Sequence, residues 1–250
     1  MPNSTILSLT QNALQELGVQ GYGAPATVVT NQVQDIVQTL ALTNGGARDL
    51  NRKHDWQQAT LEYRFTTVYY TYTATTTSGS TTLSVLSSTT GLTTNPTYFM
   101  VTGSGINQDV YLVSVNAGAS TAVMSQAATA TGTLVSLTFS QTMYAFPTDY
   151  DRPVDRSQWD KTQHWEMIGP ETSQQWQWLK SGWIASGPRI RFRPLGGLFQ
   201  IWPPLASEEY LGFEYLSKYW VVATGGVAPT KSAFTVDTDT CIFPDPLMNA

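Results

Sequence analysis

The sequence predicts an α+β chain: helices at the N-terminus, an antiparallel β-sheet core, and a small all-β domain of Ig-like or small-barrel type. Three observations predict it. Apolar residues recur at helical spacing up to about residue 55 and at period two from Leu61 onward. Between Thr66 and Thr142, 32 of 77 residues are Ser or Thr. From Phe65 to Thr148 the single charged residue is Asp109, so the other 166 positions carry 30 of the 31 charges.

The spacing of Ile6, Leu9, Ala13, Leu14 and Leu17 predicts a helix over 4–17, with Ser4 as N-cap and Gly18 as terminator. Gly21 to Pro25 reads as a linker. A longer helix is expected over 27–55, with apolar positions Val29, Val33, Ile36, Val37, Leu40, Ala47 and Leu50. Asn44-Gly45-Gly46 is its weak point, because a mid-helix Gly costs about 1 kcal/mol against Ala; the helix could kink or split there. Arg48, Arg52 and Lys53 suit its C-terminal dipole.

Leu61, Tyr63 and Phe65 alternate with Glu62 and Arg64, which predicts a strand. Short apolar runs follow at Leu83–Val85, Tyr98–Val101, Val110–Val115, Ala122–Met124 and Leu134–Phe139, separated by glycine and asparagine. A disordered stalk would not show that spacing, and Thr is a good strand former, so a β-domain over 76–139 is expected. The rest of the chain, 1–75 and 140–250, forms the other expected domain. There, Asp149–Lys161 is a polar connector and a short helix is expected over 171–181. Arg189–Arg193 and Leu198–Trp202 form a hairpin through Gly196-Gly197. A strand is expected over Leu211–Val222 and a last one near Phe234. The two prolines of the terminal PDPLMNA argue against a helix there.

Composition excludes several function classes. A net charge of -5 argues against a basic nucleic-acid surface. No apolar run reaches 18 residues, so no membrane partner is expected. The N-terminus lacks the basic start and cleavage site of a signal peptide. Cys241 is the single cysteine, which excludes an intramolecular disulfide and a thiolate zinc site and suits a reducing cytoplasm.

Catalytic and metal patterns are sparse, and neither an enzyme nor a cofactor is expected. His54 and His164 are far apart, and the H-x-E triplet at His164 has no cysteine pair after it. Gly225 to Ser232, GGVAPTKS, has Thr230 where a phosphate loop requires Gly, and reads as a turn before a strand. Ser104 lies in Thr-Gly-Ser-Gly, which is not a nucleophile elbow. Solvation accounts for the pairs Glu208-Glu209 and Asp237/Asp239 better than glycoside hydrolysis does. Seven tryptophans from Trp159 to Trp220 suit a core of large side chains more than an exposed sugar platform. Arg189, Arg191 and Arg193 share one strand face, which either meets an acidic partner or is merely solvated.

Several blocks together resemble the podovirus head-to-tail adaptor family, also called tail tubular protein A or gatekeeper. They are LSLTQNALQELGV, RDLNRKHDWQQATLEYRFTT, FPTDYDRPVDRSQWD, GPETSQQWQWLKSG, GPRIRFRPLGGLFQIWP and LGFEYLSKYWV, in the family's order over about 165 residues. The family joins its first strand to the P-x-D-x-D-R block by a short hairpin; here about seventy residues intervene, and they resemble small β-modules of phage tail proteins.

The resemblance implies an N-terminal helical bundle facing a portal protein and a β part facing a tail nozzle or tail tube protein. It also implies a homo-oligomeric ring, a dodecamer, in the virion neck, made in the host bacterial cytoplasm. Genomic DNA would pass through its lumen without sequence-specific binding. The candidate interface residues are Arg48, Arg52, Trp56, Arg189, Arg191, Arg193 and Trp202. The competing reading is a secreted or surface β-sandwich that binds glycans through its tryptophans, and a third is a hydrolase.

Overall fold

A computed structural model describes residues 4–16, 18, 24–94, 99–182 and 187–248. Leu17, Gly21–Gly23, Tyr98 and Trp183, named above, lie outside the described residues. The chain is α+β and mostly strand. It opens with α1 (Ile6–Glu16) and α2 (Gln34–Lys53), then β1 (Thr60–Thr66), β2 (Tyr69–Thr76) and β3 (Thr82–Leu83). There follow β4 (Phe99–Gly103), β5 (Leu112–Asn116), β6 (Thr121–Met124), β7 (Gly132–Gln141) and β8 (Met143–Ala145). Next come β9 (Tyr150–Pro153), β10 (Trp159–Asp160), β11 (Trp165–Glu166) and α3 (Ser173–Lys180). The last elements are β12 (Arg191–Leu195), β13 (Leu198–Trp202), β14 (Tyr210–Ser217), β15 (Val221–Val222), β16 (Pro229–Lys231), β17 (Thr240–Cys241) and α4 (Asp245–Met248).

Two compact units result: Met1–Glu62 with Thr148–Val154 and Glu214–Ala250, and Tyr63–Pro147 with Asp155–Phe213. This differs from the expected partition, because the Ser/Thr-rich tract shares a unit with 155–213. Its Met100 is buried in one cluster with Trp176, Leu179 and Trp202.

In this second unit the Ser/Thr-rich tract forms two three-stranded sheets, β2-β7-β4 and β3-β6-β5. Bridges join them on both sides, Thr75 to Ser84 and Met100 to Tyr111. The six strands therefore close into a ring around Leu83, Phe99, Val101, Leu112, Leu137 and Phe139, and closure removes the sticky free edges of an open sheet. The ring runs from Tyr69 to Gln141, past both ends of the expected 76–139. Threonines alternate outward along β2 while Ala74 and Thr76 are buried, so the tract's composition reflects strand faces. Gly103 is required where β4 leaves the ring: a Cβ there would stand 2.5 Å from Leu137 Cδ2 and 3.0 Å from the Ser136 carbonyl, at φ +154°.

The same unit holds the hairpin of β12 and β13, paired from Arg191↔Trp202 to Leu195↔Leu198 and extended by β8. Gly196 (φ 61°) and Gly197 (φ 76°) supply the left-handed turn that the sequence predicted. α3 is shorter than 171–181 and starts at a capping box: Thr172 Oγ1 accepts from the Gln175 amide, and the Gln175 side chain reaches back.

In the first unit α1 and α2 bury Ile6, Ile36 and Ala47 in one cluster with Trp220, Val221 and Phe243 around the sheet β16-β15-β17. The structure corrects several expectations here. Thr5, not Ser4, receives the Ser8 amide at the start of α1, at 3.3 Å. α2 begins at residue 34 and not 27. The amides of Val28 and Val29 are taken by Asp237 Oδ1 at 2.9 and 2.8 Å, and Asn31 Oδ1 accepts from Val33, so 27–33 is a turn. α2 runs unbroken through Gly45 and Gly46, and Asn44 Oδ1 accepts the Phe234 amide at 3.0 Å, which fixes that turn of helix. The strand expected over Leu211–Val222 is two, because Ser217 Oγ turns the chain by accepting from the Tyr219 amide. No strand forms at Phe234. Asp239 Oδ2 accepts the Thr235 and Val236 amides and bends the chain, and the strands lie at β16 and β17 instead. The prolines near the end do not prevent a helix: α4 places Pro246 in its first turn, where a missing N–H costs nothing.

Candidate functional site

The resemblance blocks are joined side by side inside each unit. In the first, Arg152 of DYDRP forms an ion pair with Asp55 of HDW at 2.6 Å and donates to the His54 carbonyl. The Asp55 carboxylate raises the pKa of that guanidinium further. Asp149 accepts the Tyr215 hydroxyl at 3.0 Å and the Ser217 hydroxyl at 2.7 Å, which ties the same block to LGFEYLS. In the second unit Arg191 pairs with the buried Glu171, and Arg193 donates to Ser173 Oγ at 2.8 Å, which joins GPETS to RIRFR. Two of the three members of the arginine stripe, Arg191 and Arg193, thus lock α3 onto the hairpin. Arg189 is exposed.

Of the remaining candidate interface residues, Arg48 and Arg52 are exposed on α2. Trp56 packs edge-on against Phe243 and donates Nε1–H to the Leu50 carbonyl at 3.0 Å, a local structural role. Trp202 is 2% exposed and is no surface anchor for this chain alone. The tryptophans divide: Trp176, Trp202 and Trp220 are core, whereas Trp159, Trp165 and Trp178 are exposed. Trp159 faces Glu166 and Trp165 faces Asp160 across β10 and β11, so these two point to opposite sides of their hairpin.

Solvation holds for Glu208, which is exposed, but not for two of the other carboxylates. Glu209 is buried and accepts from Ser207 Oγ, and Asp239 is buried under Lys231 at 2.9 Å; neither is solvated. Lys231, the lysine of GGVAPTKS, is spent on that pair, and its segment is itself strand β16. Among the described residues no group of three or more His, Cys, Asp or Glu could hold a metal ion. No described helix is long and apolar enough to cross a membrane.

Two surface features remain. The first is a groove of about 530 Å³ along α2 and α4, lined by Leu42, Gly46, Leu50, Lys53, Leu247 and Met248. Leu42 is 76% exposed, and Val37 and Leu247 are also open to solvent, so α2 carries apolar surface that its own unit does not cover.

The second lies in the other unit, around Asp109. The loop from Gly103 to Val110 turns back on itself, with the Ile106 amide on the Gly103 carbonyl and the Val101 amide on the Val110 carbonyl. Asp109 has left-handed backbone (φ 59°), and its carboxylate meets Lys180 Nζ at 2.9 Å. Lys180 stands in the last turn of α3, where a cation suits the dipole. Asp109 lines a cavity of about 270 Å³ together with Met100, Thr102, Asn107, Gln108, Trp202 and Pro203. A second cavity of about 270 Å³ is lined by Met100, Asp109, Tyr111, Met143 and Lys180. Gln108 Oε1 and Trp202 Nε1, an acceptor and a donor on two residues that line the first cavity, are buried without a partner. Each such unmade bond costs about 1–3 kcal/mol. Sequence reasoning missed this site, although Asp109's isolation in an uncharged tract was a signal that could have found it.

No family model, no curated protein and no solved structure matches the chain.

Proposed function

We propose that this chain is a structural head-to-tail adaptor of a tailed bacteriophage, a ring-forming protein of the virion neck that joins portal to tail and lines the DNA exit channel. The observation that supports the reading most is the contact between resemblance blocks: HDW with DYDRP through Asp55 and Arg152, and GPETS with RIRFR through Glu171 and Arg191. Blocks that the sequence offers only in order become mutual hydrogen-bonding partners, as expected if they belong to one scaffold. On this reading the closed strand ring, 69–141, is an all-β domain inserted into the adaptor core, and α1 and α2 are its portal-facing bundle.

Assembly follows from what α2 leaves uncovered. Leu42, Leu247 and the groove between them provide apolar surface, with Arg48 and Arg52 exposed on the same helix. A ring contact is heterologous, one face of each copy meeting a different face of the next. The net charge of -5 gives a lumen with little static affinity for phosphates, which lets DNA slide.

The test mixes the protein with purified portal complexes and images the particles by electron microscopy. Ring density below the portal supports the proposal, and Leu42→Glu, at an exposed position, should abolish it while leaving the circular-dichroism spectrum unchanged. Portal particles unaltered at saturating protein, together with a mature particle whose neck holds no copy of this chain, overturn it.

A further inference from the structure

We propose that copies of this chain meet head to tail, the turn that carries Val227 on one copy seating in the groove between α2 and α4 on the next. The inference deepens the ring reading and rests on it for closure at the portal, but not for the contact itself.

Exposure is the first argument. Val227 stands in the turn that joins β15 to β16 and is the most exposed large apolar side chain among the described residues. The turn from Thr224 to Ala228 is uncharged and open to solvent throughout. The groove of about 530 Å³ is a matching concavity. Leu42 and Leu247 are exposed on its walls, and Gly46 presents no side chain to it. Asp49 and Lys53, which also line it, carry opposite charges, so an uncharged occupant fits.

Placement is the second argument. Both surfaces belong to the first unit. Asn44 Oδ1 accepts the Phe234 amide at 3.0 Å, and Thr238, in the turn that follows, shares a hydrogen bond with Thr224 at the foot of the Val227 turn. These turns therefore lie on the Asn44 side of α2. Leu42 and Gly46 are each two residues from Asn44, about 200° round a helix of 3.6 residues per turn, and they face the groove. A projection on one flank of a helix and a hollow on the other can repeat from copy to copy in one direction.

Symmetry is the third. A two-fold contact would set groove against groove, concave on concave, and leave both unfilled. A heterologous contact puts one turn into one groove per copy, and it closes into a ring or runs on as a filament. A small molecule in the groove would leave Val227 exposed, whereas the head-to-tail contact covers both apolar surfaces at once.

The experiment mixes two variants of the full chain, Leu42→Cys and Val227→Cys, one of them carrying a mass tag, and cross-links them with a short bismaleimide. Cys241 is buried and common to every sample. The control pairs Leu42→Cys with Leu195→Cys, an exposed position in the other unit. For a Kd on the order of 1 mM and chains at about 0.5 mM, the Leu42→Cys product with Val227→Cys should exceed the control about tenfold. Val227→Glu should remove the ring density on portal particles without moving the thermal midpoint. A yield no higher than the control, or a Leu42→Cys homodimer as the main product, overturns the proposal. Ring density that survives Val227→Glu also overturns it and leaves the adaptor reading standing. Cross-linking as expected, with no density added to portals by the wild-type chain, supports the head-to-tail contact and counts against the adaptor reading alone.

Discussion

Replacing Asp239 by Asn isolates one buried carboxylate whose partners are all known. Asp239 is fully buried; its two oxygens lie 2.9 Å from Lys231 Nζ, and Oδ2 also accepts the Thr235 and Val236 amides at 2.9 and 3.0 Å. Its own carbonyl takes the Ile6 amide at the start of α1. Asn has the same shape and can keep its oxygen toward the two amides. Its NH₂ then faces the ammonium of Lys231, and the charge-assisted bond is lost. Removing one partner of a buried pair costs about 3–5 kcal/mol, and a bond to a charged group contributes roughly 1.5–3. Lys231 keeps 27% of its side chain exposed and can turn to water, so the smaller of the two figures applies. We expect a loss of about 2–3 kcal/mol at pH 7, read by urea unfolding, with faster exchange at the Thr235 and Val236 amides.

The pH dependence supplies a second readout. Burial alone would raise the Asp239 pKa, but Lys231 and the two amides outweigh it and hold the carboxyl below its usual value. A depressed folded pKa gives stability that is complete above the unfolded value, about 3.9, and is lost as the pH falls through the folded pKa. The gap between wild type and Asp239→Asn should therefore be full at pH 7 and close below pH 4. An unchanged midpoint at pH 7, or a gap that persists undiminished in acid, would refute the reasoning.

Asp160 has the opposite sign. Burial, with Glu209 nearby, raises its pKa against the pull of the Gln163 and Thr162 amides, so its ionised form opposes folding. Asp160→Asn keeps the acceptor for those two amides and should raise the thermal midpoint at pH 7, with the gain vanishing as the pH falls toward the unfolded pKa. Gly46→Ala should stabilise by up to about 1 kcal/mol, roughly 2–4 °C in thermal midpoint, because an added Cβ meets nothing within 4 Å on that exposed helix turn. Leu137→Ala, at a fully buried position inside the strand ring, should cost about 3–5 kcal/mol and strip exchange protection from the Val101 amide.

The sequence by itself determined the elements whose signal is local. The period change at Leu61, the Gly196-Gly197 hairpin and the glycine-punctuated strands between 82 and 141 stand where the pattern put them, because turn chemistry and side-chain alternation act over a few residues. Tertiary structure decided whatever depends on a partner far along the chain. Asp237 sets the start of α2 from 209 residues away, by taking the Val28 amide. Asp239 cancels the strand at Phe234, and Met100 draws the Ser/Thr-rich tract into one cluster with Trp176 and Trp202. The Asp109 site belongs to this second class. Its cavities need a loop between two strands, the last turn of a helix and the end of a hairpin, three segments that no periodicity links. Composition could mark Asp109 as solitary, but only folding supplies Lys180 as its counter-charge and leaves the Gln108 Oε1 and Trp202 Nε1 atoms buried without partners, because long-range contacts, unlike turns and strand faces, leave no repeating pattern in a single chain.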